Sequence, residues 1–322
     1  VVPWPGKRGR AREQAGFLAS AEALTAIDAE VMLASEIAMR YYEVAAMDRS
    51  IAIMSGTREL LRSFFEVSQT RYAVGESPQQ DVLRAQIAVA QMTEEIAVMR
   101  QSRIAMTARL NALLGRSATE PVGALALPSI GDSLAAVDSL MRIATSQRPA
   151  LLAAQARTKG AAVAVRSAQR DAYPDLMLAV AYGQRPQYHD MTTLMVGFML
   201  PIRSGTRQRP MQQETAAMEA MAGAESRNLV NETYAAITEA RADVEQSREL
   251  ATLYRTAILP QARAGVDAAL SAYRVGQVDY MTLVESEMTV NRYEIALVRL
   301  TAQYHQAVAR IDALLGVGGR IP

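Results

Sequence analysis

The sequence predicts a mainly α-helical chain with one β-hairpin, assembled from two matching halves that each fold as a long helical hairpin. Three observations predict it. The 12 Pro and 18 Gly of the 322 residues fall in clusters, leaving long stretches rich in Ala, Leu, Met, Glu and Arg, the strong helix formers. Two short runs near the middle alternate with period two, the mark of strands. Residues Tyr72 to Gly115 also align without gaps on Tyr273 to Gly316, at a constant offset of 201.

The first helical stretch runs from about Arg10 to Tyr72, with only Gly16 and Gly56 as interruptions. At about 1.5 Å per residue it is roughly 95 Å long, too long for the core of a small globule, so it must lie along other long helices. Val74-Gly75-Glu76-Ser77-Pro78 ends it, with Gly suited to the residue past a helix end and Pro to the start of the next helix. A second helix, about 79–114, stops at Gly115. Val82, Ala85, Val89, Met92, Ile96, Met99, Met106, Leu110 and Leu113 follow a 3,4 spacing broken only at Arg103. Such a heptad seam demands a partner helix.

Residues 116–131 read as a linker, with Pro121, Gly123, Pro128 and Gly131. A short helix is expected over about 133–146, capped by Asp132 or Ser133, then a break at Arg148-Pro149 and a helix over about 150–172. After Tyr173-Pro174-Asp175, bulky Leu176, Leu178, Val180 and Tyr182 alternate with Met177, Ala179, Ala181 and Gly183. Past a polar loop (184–190), Leu194, Val196, Phe198 and Leu200 alternate with Met195, Gly197 and Met199. No charge follows Asp175 within either run. A soluble sandwich would carry charge on its outer face, whereas a lipid-facing barrel strand is two-faced in this way. A long helix is then expected over about 211–273, disturbed at Pro260. A turn follows at Val275-Gly276-Gln277, then a last helix over about 280–315.

The repeat organises these elements. Tyr72, Val74 and Gly75 match Tyr273, Val275 and Gly276; Ala112-Leu113-Leu114-Gly115 matches Ala313-Leu314-Leu315-Gly316. The seam recurs through Leu283, Ser286, Val290, Tyr293, Leu297, Leu300, Tyr304, Ala307, Ile311 and Leu314. Upstream, Pro3, Gly6 and Arg8 resemble Pro201, Gly205 and Arg207. The expected division is a first repeat over 1–115, a linker with its short helix over 116–148, a second repeat with the hairpin (about 176–200) over 149–316, and a tail over 317–322. The chain opens Val1-Val2-Pro3 at the equivalent of a strand exit, so a further helix and hairpin are expected ahead of it.

Composition narrows the function. Lys and Arg (34) balance Asp and Glu (33), which is not the basic field of a nucleic-acid binder. The absence of Cys removes disulfides, zinc-thiolate sites, iron–sulfur clusters and thiol nucleophiles. No run approaches the roughly 20 apolar residues of a spanning helix. His189, in the hairpin loop near Met191, and His305, on the last helix, have no second His at ligand spacing. No phosphate-binding glycine loop follows a strand. The expectation is a protein with no catalytic, cofactor or metal residues, whose long helices build a wall.

The residues that carry most information resemble the TolC-like outer-membrane factor family. These are the turns Arg71-Tyr72-Ala73-Val74-Gly75-Glu76-Ser77 and Ala272-Tyr273-Arg274-Val275-Gly276-Gln277; Arg148-Pro149-Ala150-Leu151 leading to Tyr173-Pro174-Asp175-Leu176; and Val196-Gly197-Phe198-Met199-Leu200-Pro201-Ile202 before a basic loop. The Met-bearing hairpin, with Met177, Met191, Met195 and Met199, is most similar to the heavy-metal RND efflux branch. The resemblance implies a homotrimer in which three chains close a twelve-stranded β-barrel in outer-membrane lipid, continued by an α-helical barrel across the periplasm. It implies a passive efflux conduit, with a periplasmic adaptor (a membrane fusion protein) and an inner-membrane RND-type pump as partners. The family has four strands per chain; this sequence shows two.

By the same resemblance, Val74, Gly75, Glu76, Val275, Gly276 and Gln277 are expected to meet the adaptor, and Asp81, Tyr273 and Arg274 to latch the periplasmic mouth. The family's basic latch residue aligns with Val278 here, leaving Arg274 or Arg84 as substitutes. Read without the resemblance, the two glycines end helices and Asp81 complements a helix dipole. The alternatives are a drug-efflux or type I secretion channel, or a periplasmic adaptor or coiled-coil protein without a channel.

Overall fold

The computed structural model describes residues 2–186, 188–199 and 204–318. In order they form α1 (Lys7–Ala73), α2 (Gln79–Leu113), α3 (Val137–Gln147), α4 (Pro149–Arg170), β1 (Asp175–Gly183), β2 (Met191–Met199), α5 (Arg209–Leu253), α6 (Leu259–Arg274) and α7 (Tyr280–Leu314), with π-turns at Ser204–Gln208 and Tyr254–Ile258. Leu200, expected to end the second strand, Pro201 to Arg203 after it, and most of the 317–322 tail lie outside the described residues. Among those described, no helix is long and apolar enough to cross a membrane.

The chain makes two compact units, Val1–Glu30 with Asp138–Ala235, and Val31–Val137 with Ala236–Pro322. Each draws on both sequence halves. In the first, β1 and β2 pair antiparallel, with Leu176 opposite Phe198, Leu178 opposite Val196 and Val180 opposite Leu194. The bulky residues of both strands therefore share one face. Met177, Met191, Met195 and Met199 share the other, and nearly the whole hairpin is exposed. Val2 pairs with Leu176, Trp4 stacks on Tyr173 at 5.9 Å, and Lys7 pairs with Asp175 at 2.8 Å. The backbone of α4 comes close to α1 at Gly160, where a Cβ would stand 3.5 Å from that of Phe17. Asp28 of α1 accepts from the Ala150 amide at 3.1 Å. It satisfies a first-turn donor that the N-cap residue, Arg148, leaves without a side-chain cap.

In the second unit, both seams are buried or half-buried as the spacing predicts, and Met54, Leu61, Phe64, Met92, Ile96 and Leu283 meet in one core drawn from α1, α2, α6 and α7. α7 is also buried along Tyr280, Val284, Glu287, Asn291, Val298 and Ala302, a face the seam reading missed because much of it is polar or small. Gly75, Gly115, Gly276 and Gly316 stand at φ +77, +67, +73 and +79. At each, the next amide bonds back five residues, as Glu76 does to the Arg71 carbonyl and Gln277 to that of Ala272. These are Schellman closures, where glycine meets no Cβ penalty.

One expectation is corrected. The short helix begins at Val137, not near Ser133, and neither Asp132 nor Ser133 caps it. The carbonyls it would have used are taken: Tyr304 donates to that of Asp132 at 3.2 Å and Arg241 to that of Ala135 at 3.0 Å. β1 ends at Gly183 and β2 begins at Met191, on either side of the expected 184–190 loop. Pro260 does change the helix it sits in. The turn before it is a π-turn, with the Leu259 amide bonded to the Tyr254 carbonyl, which accommodates the missing proline donor.

Candidate functional site at the two helix tips

The α1–α2 and α6–α7 turns lie side by side in the second unit, joined by Arg71. Its guanidinium donates to the Tyr273 carbonyl, stands 5.0 Å from the Tyr273 ring centroid and lies 3.6 Å from the Glu76 carboxylate. A Cβ on Gly276 would stand 3.5 Å from Arg71 Nη2, so the second turn keeps room for the arginine of the first. Val74 and Val275 are 65% and 68% exposed. Two valines left in solvent, one on each turn, with Gly75, Glu76, Gly276 and Gln277 also exposed, give the tips apolar groups that packing within the unit does not use.

Beneath the tips the chemistry changes. Tyr273 and Tyr280 are 2% and 0% exposed, with ring centroids 5.9 Å apart, and neither hydroxyl has a hydrogen-bond partner. Burial pushes both hydroxyls up, and the Asp81 charge acts in the same direction. Asp81 is itself buried. Burial holds its carboxyl above the usual range, opposed by Arg84 and Arg71 and reinforced by Asp279. A carboxyl raised in this way favours the folded tip most when protonated, and that contribution fades as pH rises through its pKa. Asp279 differs: its carboxyl is held low by the hydroxyl and amide of Thr282, whose amide it caps at 3.0 Å.

Asp81 and Tyr273 are both buried, and the Asp81 charge reaches the Tyr273 hydroxyl. Arg274 is exposed, and the arginine on Tyr273 is Arg71. Sequence reasoning did not assign Arg71 or Tyr280 a role. Their signal was a departure from the repeat: Arg71 stands where the other half has Ala272, and Tyr280 where it has Gln79. Elsewhere, His189 is exposed in its loop, and the Met191 sulfur accepts from Arg185 at 3.1 Å. His305 stacks on Tyr42 at 4.9 Å and lies 3.1 Å from the Pro128 carbonyl. Its burial lowers its pKa, so it is an interhelical packing residue.

The hairpin, long helices and paired tips recur in known proteins. Residues 140–317 match the model of a family described as "Outer membrane efflux protein". The pyoverdine export outer membrane protein OpmQ of Pseudomonas putida is 24% identical, over 98% of this chain and 68% of that protein. The outer membrane protein VceC of Vibrio cholerae superposes with a TM-score of 0.85 at 21% identity, covering 97% of this chain and 76% of its own. The channel-forming protein CusC gives 0.84 at 14% identity, over 97% and 75%. With more than half its length matched, this chain belongs to the outer membrane efflux protein family, and its place is the outer membrane.

Proposed function

We propose that the chain is the channel component of a tripartite efflux system. Three copies close a twelve-stranded barrel in the outer membrane, each giving four strands of which β1 and β2 are two. The duplicated helical hairpins continue the barrel as an α-helical tube through the periplasm. The conduit is passive; an inner-membrane RND-type pump supplies the energy and a periplasmic adaptor joins the two. The observation that carries this reading is the hairpin: nine-residue strands suit a tilted membrane crossing, and one continuous uncharged apolar face stands in solvent. Trp4 with Tyr173 near one end, and Tyr182 with Tyr188 near the other, fit the aromatic girdles of such barrels. Purified protein is expected to cross-link as a trimer and to give discrete conductance steps in planar bilayers. A soluble monomer without conductance would instead favour an adaptor or a coiled-coil protein.

The tips serve docking and closure. Val74, Gly75, Glu76, Val275, Gly276 and Gln277 receive the adaptor. Val74→Asp with Val275→Asp is expected to abolish efflux in cells while trimer yield stays unchanged, because both side chains are exposed; retained efflux would remove the tips from docking. Asp81, Tyr273 and Arg274, joined by Arg71, hold the mouth. Asp81→Ala is expected to raise single-channel conductance, and an unchanged conductance would exclude Asp81 from the latch.

Heavy-metal ions are the first reading of the cargo. All four hairpin methionines stand on the face opposite the bulky one, the face this barrel turns to its lumen, and thioether sulfur suits soft metals. The likeness to a pyoverdine export protein supports a second reading, an organic substrate as in drug efflux. Type I secretion shares the same conduit. Metal and drug tolerance of a deletion strain separates the first two.

A further inference from the structure

A groove of about 570 Å³ lies between α1, α6 and α7, within the size range of small-molecule sites. Ile53, Leu60, Val266 and Val290 give it apolar walls. Thr57 lines it, and its hydroxyl accepts from Asn291 at 2.9 Å. One turn before Asn291, Glu287 lines the same space and is only 7% exposed. Its carboxylate has no hydrogen-bond or ion-pair partner among the described residues; the nearby Arg263 is already engaged with Glu294. Gly56 also lines the groove, and a Cβ there would meet nothing within 4 Å. Packing within the unit therefore does not require a glycine, which is unfavourable inside a helix, and its effect is to leave this wall open.

The other charged groups lining the groove are Arg49 from α1, Arg263 and Asp267 from α6, and Glu294 from α7; of these, Arg263 and Glu294 act on Glu287 directly. With Glu287 itself, that is two cations against three carboxylates, a net charge of −1. We propose that this groove binds a small organic cation, its amidinium, guanidinium or ammonium head paired with Glu287 and its apolar body against Ile53, Leu60, Val266 and Val290. A buried carboxylate without a partner is costly, and a cation delivered with its own apolar body relieves that cost without rearranging the helices. Burial holds the Glu287 carboxyl above its usual range, with Glu294 adding to the effect and Arg263 opposing it. Binding therefore weakens as pH falls and the carboxyl takes up a proton.

The test is a fluorescence titration of purified full-length protein in detergent with p-aminobenzamidine, using the uncharged isostere p-aminobenzamide as control. Saturable binding of the amidine is expected, weakened at least about tenfold for the amide and for Glu287→Gln. Glu285→Gln, an exposed neighbour, is expected to bind as wild type. Glu287→Gln is isosteric and removes a buried charge, so its melting temperature is expected to hold or rise, which separates lost binding from lost fold. Gly56→Leu, which fills the wall without changing charge, is expected to block the site. Equal binding of amide and amidine, unchanged binding by Glu287→Gln, or no saturable binding by wild type would overturn the proposal.

Discussion

Leu194→Lys is expected to remove the protein from the outer-membrane fraction, while Met195→Lys leaves it there. Leu194 stands opposite Val180 on the bulky face of the hairpin, and Met195 stands opposite Ala179 on the other. Both are exposed and adjacent, so they differ only in the face they occupy. On the lipid face of the proposed barrel, a lysine near the bilayer midplane costs about 2–4 kcal/mol, and the proposed trimer carries it three times. On the proposed lumen face the ammonium meets water. The measurement is the amount of trimer recovered from isolated outer membranes. If Met195→Lys is the damaging change, the lipid face is reversed; if neither matters, the hairpin is not in a bilayer.

Arg103→Ala is expected to destabilise the second unit by about 2–4 kcal/mol and to open the 116–131 segment to proteases. Arg103 holds the Asp48 carboxylate through two N–H groups and also donates to the carbonyls of Val122 and Gly123 at 3.1 and 3.0 Å. Asp48 in turn accepts from the Leu125 amide at 3.1 Å. One arginine thus fastens the linker across α1 and α2. Its removal leaves a carboxylate whose side chain is only 16% exposed without its cation, and charge-assisted bonds of this kind are worth more than neutral ones. Thermal melting and limited proteolysis measure the effect. Asp48→Asn combined with Arg103→Ala is expected to recover part of the loss, because the stranded charge is gone. A melting temperature unchanged in Arg103→Ala would show that the linker is held by its apolar contacts.

Arg103 also shows how far the sequence could be read. It stood out as the break in an otherwise regular seam, and the break was real, but its purpose depended on Asp48, 55 positions away. Periodicity located the helices, both seams and the hairpin, because each rests on neighbours three, four or two residues apart. It could not locate the start of α3, where distant side chains occupy the backbone carbonyls. Nor could it see the second buried face of α7, since Glu287 and Asn291 do not look like core. At the tips, the glycines were legible because only a few backbone conformations end a helix that way. The junction through Arg71 was not, because it depends on two turns meeting that are some 200 positions apart.

The π-turns bear on the proposed duplication. From Gly6 to Tyr72 the first arm counts 66 steps, while from Gly205 to Tyr273 the second counts 68. Among the described residues, only the second arm holds π-turns, at Ser204–Gln208 and Tyr254–Ile258. A π-turn closes its hydrogen bond one residue further along than an α-turn, so surplus residues widen the coil instead of lengthening it. Under that duplication, the two surplus residues of the second arm are taken up as girth, and Arg71 still reaches the Tyr273 carbonyl.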